Sequence, residues 1–389
     1  MYFVEKTKGT NFIKQFDYPL FIAVFILSLI GITVLMSAVR GMPNWESVWF
    51  KQLVCLVIGL ILAFITCTID YKDFKTLGIV LYIFSIILLV LVLFIGVEKN
   101  GSTSWMDLPF IGRFQPSELA KVAFVVVIPV FFERLKEGQQ VNKNVLKLLV
   151  YTIIPIILVL KQPDVGTALV FIFAFVIMLF IYGVPYKYFF IAIGSFLASA
   201  PFLWLFILPN YFPHIKGRVT SFLFPETDLL GKGLQVYRSK MTIGSGQLFG
   251  KGLFHGLQTQ NSSSVIRSSN FNVPEKQNDF IFSVIGEELG FIGSIAILLI
   301  IFFILFRCLY IARNSRDEYG SFMVIGITAI FAFHFIENIG MCIGVLPVTG
   351  IPLPFISQGG SSLVTNYISV GILLSISMRR KRAIFNSSQ

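Results

Sequence analysis

The acid Asp279 closes the longest stretch of this chain that cannot sit in a membrane, residues 209 to 278, and leads straight into apolar sequence. A carboxylate held where a large polar loop meets a bilayer suits chemistry on a lipid-linked substrate, because it can take a proton from a hydroxyl brought within about 3 Å. A second group of candidates lies in Q-P-S-E-L-A-K, Gln115 to Lys121. Pro116 fits the first turn of a helix, and Glu118 fits its third position, where a negative charge meets the positive end of the helix dipole. Helix capping alone would account for Glu118. Lys121 opposes that dipole, so it needs either Glu118 at i, i+3 or an external anion. With Arg113 just upstream, the helix start could bind phosphate; a bare salt bridge is the simpler reading. Trp105, in G-S-T-S-W-M-D-L, stands in the same loop, either as an anchor at headgroup level or as a platform for a sugar face.

Other polar stretches carry weaker signals. G-S-G-Q-L-F-G-K-G, Gly244 to Gly252, lacks the strand–helix context and the Lys-Ser/Thr ending of a nucleotide loop. It reads as tight backbone packing near a substrate or partner, with Lys240 and Lys251 as phosphate contacts. His334, Glu337 and Asn338 share a helix face and read as hydrogen-bonded glue between helices; a metal site would need more ligands. Asn261 to Ser263 forms an N-x-S sequon. Gly359, Gly360, Ser361 and Ser362 would let a last helix pack closely.

The elements that must position these groups follow from composition. Of 389 residues, 56% are hydrophobic and 13% are charged, about half the charged share of a soluble domain. Apolar runs of 18 residues or more recur, each able to cross about 30 Å of hydrocarbon as a helix. Ten spans fit: about 18–38, 48–68, 76–96, 117–132, 145–160, 164–183, 186–208, 290–307, 320–346 and 357–378. The expected fold is therefore a single all-α polytopic membrane unit over 1–389, with its large loop between the seventh and eighth spans. The first span follows Lys6, Lys8 and Lys14 and is too long for a signal-peptide core, so it reads as a signal anchor.

Lys and Arg then choose the orientation. The N-terminal tail (1–17), the loops carrying Arg134, Lys136, Lys143 and Lys147 and then Arg313 and Arg316, and the tail 379–389 fall on one side. Both termini are expected to be cytoplasmic and residues 209–278 extracytoplasmic. The net charge of +11, so placed, fits membrane topology and an anionic lipid surface better than nucleic acid. Cys55, Cys67, Cys308 and Cys342 all lie in or beside apolar runs and form no disulfide framework. From Asp279 to Arg307 is longer than one crossing, about 43 Å if helical. A break is expected at Gly286-Glu287-Glu288-Leu289-Gly290, with a first piece lining a polar cavity and the true crossing after Gly290.

Five strings in order resemble the RodA/FtsW/SpoVE family, the shape, elongation, division and sporulation proteins. They are Q-P-S-E-L-A-K, Q-P-D-V-G-T-A-L from Gln162, I-G-S-G-Q-L-F-G-K-G from Ile243, D-F-I-F-S-V-I-G-E-E-L-G from Asp279, and N-I-G-M from Asn338 through L-P-V-T-G-I-P-L-P-F. The segment Ser239 to Gln260 looks closer to the RodA, or elongation, branch. The resemblance implies a multi-pass protein of the bacterial plasma membrane. Its implied activity is peptidoglycan glycosyltransfer from lipid II, for cell-wall synthesis and cell shape, beside a class B penicillin-binding protein. The family's essential loop acid falls on Asp279, and its cavity positions fall on Trp105, Arg113, Gln115, Glu118 and Lys121, with Lys51 on the second helix. In that setting Asp279 would be the general base. Lys121 and Arg113, with or without a divalent cation (Mg or Mn), would steady the leaving pyrophosphate, and Glu118 would orient Lys121 or hold the metal. The chain departs from the family at Asn278, where threonine is usual, at Gln358, where tyrosine is usual, and at Arg238-Ser239 before the glycine loop. A lipid II flippase, or a non-catalytic scaffold for the penicillin-binding protein, would use the same spans. A solute transporter would more often show inverted repeats, and none stands out.

Overall fold

The computed structural model describes residues 15–42, 44–99, 102–108, 112–211, 213–224, 232–256 and 273–380. Lys6, Lys8 and Lys14, the Asn261–Ser263 sequon and Lys381–Arg382 lie outside them. The helices are α1 (Tyr18–Val39), α2 (Trp45–Thr68), α3 (Phe74–Ile95), α4 (Pro116–Lys136), α5 (Val141–Lys161), α6 (Val165–Tyr182) and α7 (Tyr186–Phe202). After a π-helical turn follow α8 (Leu208–Tyr211), α9 (Pro213–Leu223), α10 (Lys232–Ser245), α11 (Ile281–Arg313), α12 (Glu318–Cys342) and α13 (Gly360–Met378). A small antiparallel sheet, β1 (Val97–Lys99), β2 (Ser102–Leu108) and β3 (Gly112–Phe114), joins α3 to α4.

Nine of the described helices are long and apolar enough to cross a membrane. α4, the fourth of the ten expected spans, is the one not among these nine; Glu118, Lys121, Glu133, Arg134 and Lys136 set its composition apart. Glu118 and Lys121 are tolerated because nearly every residue from Pro116 to Phe132 is buried, so these two meet protein and not lipid, while Arg134 and Lys136 lie exposed beyond the buried stretch. α12 and α13 are interior as well, whereas α7 buries none of its residues. Small residues set the closest approaches. A Cβ added at Gly59 of α2 would lie 3.0 Å from the Tyr367 ring of α13, and Gly360 lies against Cys55 in the same way.

Five ion pairs gather at one end of the bundle: Arg307–Asp17, Arg379–Asp70, Lys72–Asp317, Lys75–Glu133 and Lys136–Glu318. The sheet, the N-termini of α4, α6 and α11 and the segment after α12 occupy the other end. Within the expected loop the described residues are largely helical. α10 is tied into the bundle where the Ser239 hydroxyl meets Ser283 Oγ and the carbonyl of Cys342, both at 2.6 Å.

The break in α11 falls at Gly290, with φ 66° and ψ −165°. The piece before it does not line a polar cavity as expected. Residues 281 to 288 are all buried, because the glycine-rich segment 246–252 docks on the broken backbone. Lys251 N donates to Glu287 O and Gly252 N to Glu288 O, both at 3.0 Å, and Phe291 N donates to Gln247 O at 2.9 Å. The two acids are satisfied locally: Lys251 Nζ lies 2.7 Å from Glu287, while Ser37 Oγ of α1 donates to Glu288. Interrupted, charged backbone survives at this depth because protein supplies its partners.

Lys276 is buried beside the same acids. Burial pushes its ammonium from an ordinary 10.5 down to about 8, with Glu287 and Glu288 pulling it partly back. Between those values the unfolded chain binds more protons than the folded one, so stability rises with pH across that window and falls as pH drops through about 8. The melting temperature in detergent should climb between pH 8 and pH 10.5. Lys276→Met should remove that part of the slope; an unchanged pH profile in the variant would contradict the assignment.

Candidate functional site

Asp279 is the next-to-last residue of the turn entering α11. Its backbone N–H donates to Glu275 O at 3.1 Å. Its carbonyl accepts from Asn338 Nδ2 at 2.8 Å, and the same amide donates to Ile351 O at 2.8 Å. One buried asparagine therefore clamps this turn to the segment after α12. The carboxylate rests against that segment, since a Cβ added at Gly350 would stand 3.4 Å from Asp279 Oδ2. The stretch before Asp279 is held by the 357–358 corner, where Ser357 Oγ donates to Asn278 O at 2.6 Å and Gln358 N to Gln277 O at 2.9 Å. Two of the departures from the family pattern, Asn278 and Gln358, thus sit in adjacent contacts of this corner.

Arg218 of α9 reaches the same place. Its Nη1 donates to Thr349 O at 3.0 Å, and Thr349 Oγ1 donates to Glu337 at 2.7 Å. Burial lowers the Arg218 guanidinium from its ordinary range, and the charges of Asp164 and Asp279 pull it back up. Asp164 caps α6 by accepting from Thr167 N at 3.1 Å, and it accepts from Gln115 Nε2 at 3.0 Å. Gln115, Asp164, Arg218 and Asp279 therefore share one electrostatic neighbourhood. Beside it lies a cavity of about 80 Å³ lined by Arg218, Ser221, Tyr237, Lys240, Phe222 and Val348 among others.

The Lys121 cluster is a separate group behind residues 349–352. Lys121 Nζ donates to Glu118 Oε1 at 2.9 Å and meets His334 Nε2 at 2.9 Å. An ammonium offers no acceptor, so Nε2 must accept and Nδ1 carries the proton toward Pro352 O at 3.2 Å. Thr365 Oγ1 completes Glu118 at 3.2 Å. The adjoining cavity holds only about 10 Å³, room for one water-sized probe. Arg113 sits directly across the sheet from Asp107 and pairs with it at 3.3 Å, both largely exposed. Trp105 is half-buried on β2, and Lys51 is exposed on α2. Asp279 and Asp164 thus stand near Arg218, Gln115 is bonded to Asp164, and Arg218 shares its cavity with Lys240. Trp105, Lys51, Arg113 and the Glu118–Lys121 pair line other parts of the same end.

Sequence reasoning passed over Arg218 and Asp164 as working groups. Arg218 carries no motif of its own and gains its setting only from the fold. Asp164 did lie in Q-P-D-V-G-T-A-L, where an acid two residues before glycine at a helix start was the available signal. The described residues gather no three His, Cys, Asp or Glu side chains that could hold a metal ion, and the Glu118 oxygens are taken by Lys121 and Thr365. The divalent cation of the resemblance has no protein-built seat there, and no step below passes through it.

Breaking the buried Glu118–Lys121 pair should cost about 3–5 kcal/mol, because one charge is left stranded. Lys121→Ala should therefore melt well below the parent, whereas Glu118→Gln combined with Lys121→Met should recover most of the loss. If the double variant melts as low as the single one, the ion pair is not what stabilises this cluster.

Comparison with known proteins places this frame. The family model described as "Cell cycle protein", FtsW/RodA/SpoVE, matches residues 17–382. A probable peptidoglycan glycosyltransferase FtsW of Trichlorobacter lovleyi is 36% identical over 95% of both chains. The peptidoglycan glycosyltransferase MrdB of Escherichia coli K12 is 36% identical over 84% of each, and the stage V sporulation protein E of Bacillus subtilis 36% over 93% of this chain and 96% of its own. Equal identity to three differently named relatives does not choose a branch. A solved chain from a peptidoglycan synthase complex, described as coordinating polymerization and crosslinking, superposes with a TM-score of 0.77 at 27% identity, covering 93% of this chain and 97% of that one. The rod shape determining protein RodA of Thermus thermophilus gives 0.67 at 26%, over 94% and 98%. Sharing that family's pattern over nearly its whole length and its helical frame besides, the chain belongs to the FtsW/RodA/SpoVE family of cell cycle proteins.

Proposed function

We propose that this protein is a peptidoglycan glycosyltransferase that polymerises lipid II, with Asp279 as general base. The observation that carries the reading is the mounting of Asp279: its carbonyl is clamped by Asn338 while its carboxylate lies over Gly350, at the end of the bundle away from the five ion pairs. In a Lys- and Arg-directed orientation that end is extracytoplasmic and both termini are cytoplasmic. Prenyl tails stay in lipid while sugars and phosphates meet the polar groups.

The 4-hydroxyl of one lipid-linked saccharide attacks the anomeric carbon of another. Asp279 takes the hydroxyl proton as the new C–O bond forms. The bond from that carbon to the pyrophosphate oxygen breaks, and undecaprenyl pyrophosphate leaves with the electron pair. Inversion turns the α-linked pyrophosphate into a β-1,4 glycosidic bond. Arg113, exposed and paired with Asp107, can swing to the departing phosphates. Lys121 adds fixed positive charge behind the 349–352 segment, oriented by Glu118, and such preset charge favours a developing anion. Trp105 packs against sugar or stem. The partner would be a class B penicillin-binding protein, and the Ser239 to Gln260 segment favours the elongation branch.

The test is polymer formation from purified lipid II by the detergent-solubilised protein, with and without a co-expressed class B penicillin-binding protein. Glycan strands on a gel support the assignment. Labelled lipid crossing sealed vesicles with no polymer would make it a flippase. A transpeptidase partner that works equally well with Asp279 removed would make it a scaffold.

A further inference from the structure

We propose that the cavity between α9, α10 and the segment after α12 is a seat for the pyrophosphate of a prenyl-linked substrate, built on Arg218 and Lys240. The inference rests on the glycosyltransferase reading and adds to it. A reaction that joins two lipid pyrophosphates must hold two such groups at once. The Lys121 cluster offers at most one seat, because Lys121 is already engaged by Glu118 and His334. The second seat has to lie elsewhere within reach of Asp279.

Three features of the Arg218 cavity meet that need. Its cations are not neutralised by contact: among the described residues no salt bridge joins Arg218 or Lys240 to a carboxylate, although Asp279 and Asp164 lie close enough to act on Arg218. Arg218 spends Nη1 on Thr349 O, while its Nε is buried with no acceptor. An unmade hydrogen bond of this kind costs about 1–3 kcal/mol, and a phosphate oxygen would supply the missing acceptor. A guanidinium fork with a lysine point charge beside it is a suitable pair for a phosphate chain. Finally, the lining is half apolar, with Phe222, Val236 and Val348 beside Ser221 and Tyr237. That mixture suits the first isoprene units of a lipid better than a free inorganic anion.

Lys240 is exposed, its stem lying along Gly344, so its removal should not unfold the chain. Titration calorimetry on the full chain in detergent would use inorganic pyrophosphate and farnesyl pyrophosphate as probes. Wild type should bind both, farnesyl pyrophosphate the more tightly. Lys240→Gln should weaken farnesyl pyrophosphate at least tenfold and Arg218→Gln further, while Asp279→Asn should bind as well as wild type or better. Wild-type affinity in Lys240→Gln and Arg218→Gln would overturn the seat. Inorganic pyrophosphate binding as tightly as the prenyl probe would overturn its assignment to a lipid. The two readings fail separately. A wild type that binds through Lys240 but makes no polymer sinks the activity alone, and a polymerase whose Lys240→Gln variant binds normally sinks the seat alone.

Discussion

Asp279→Asn should reduce lipid II polymerisation by at least 100-fold, about the smallest penalty for losing a positioned general base. The substitution keeps size and shape and removes only the charge and proton affinity. The backbone of residue 279 is anchored to Glu275, Asn338 and Cys342, and an asparagine retains those contacts. Expression, elution and melting temperature should therefore stay near the parent while polymer disappears. A rate within about tenfold of wild type would reject the base assignment. A collapse in melting temperature would show instead that the carboxylate is a structural group.

Gly290→Ala should abolish recovery of folded protein. At φ 66° and ψ −165° the backbone occupies a region almost closed to residues with a Cβ, at a cost of about 1–3 kcal/mol. That is the smaller part. The new Cβ would stand 2.2 Å from Gly250 N and 2.7 Å from Phe249 C, and neither backbone group can move without releasing the docked segment. The hydrogen bonds from Lys251, Gly252, Phe291 and Ile292 across this junction would go with it, at about 1 kcal/mol each. The sum exceeds what most single substitutions cost. Gly194→Ala on α7, where an added Cβ meets nothing within 4 Å, is the matched control. Size-exclusion profiles of detergent extracts should show a monodisperse peak for the control and none for Gly290→Ala. Two matching peaks would mean that the junction is not essential.

Much of the frame was legible beforehand because the bilayer is a severe solvent. Apolar runs of spanning length have few alternatives, so the helices from α1 to α7 and α11 to α13 could be placed from hydropathy alone. The break at Gly290 was legible as well, since two acids and two glycines cannot continue an apolar helix. What surrounds the break was not. Glycines at 246, 250, 286 and 290 say that backbones approach closely, but not that these four approach one another. Among the site residues, Glu118 and Lys121 announced their pairing through i, i+3 spacing. His334 as the second partner of Lys121, 213 residues away, left no local trace. Arg218 is the clearest case, an ordinary basic residue until the fold sets it between Asp164, Asp279 and Thr349.

By itself the sequence determined the solvent, the apolar runs of spanning length, the family pattern and the acid at the mouth of α11, because each depends on residue type and local spacing. Only the tertiary structure decided which cations stand near that acid. It put the Glu118–Lys121 pair behind the 349–352 segment and gave Arg218 and Lys240 the open cavity. The physical reason is range: hydropathy and helix period act over a few residues, whereas a charge is set by whatever the chain brings within a few ångströms of it, however distant in sequence.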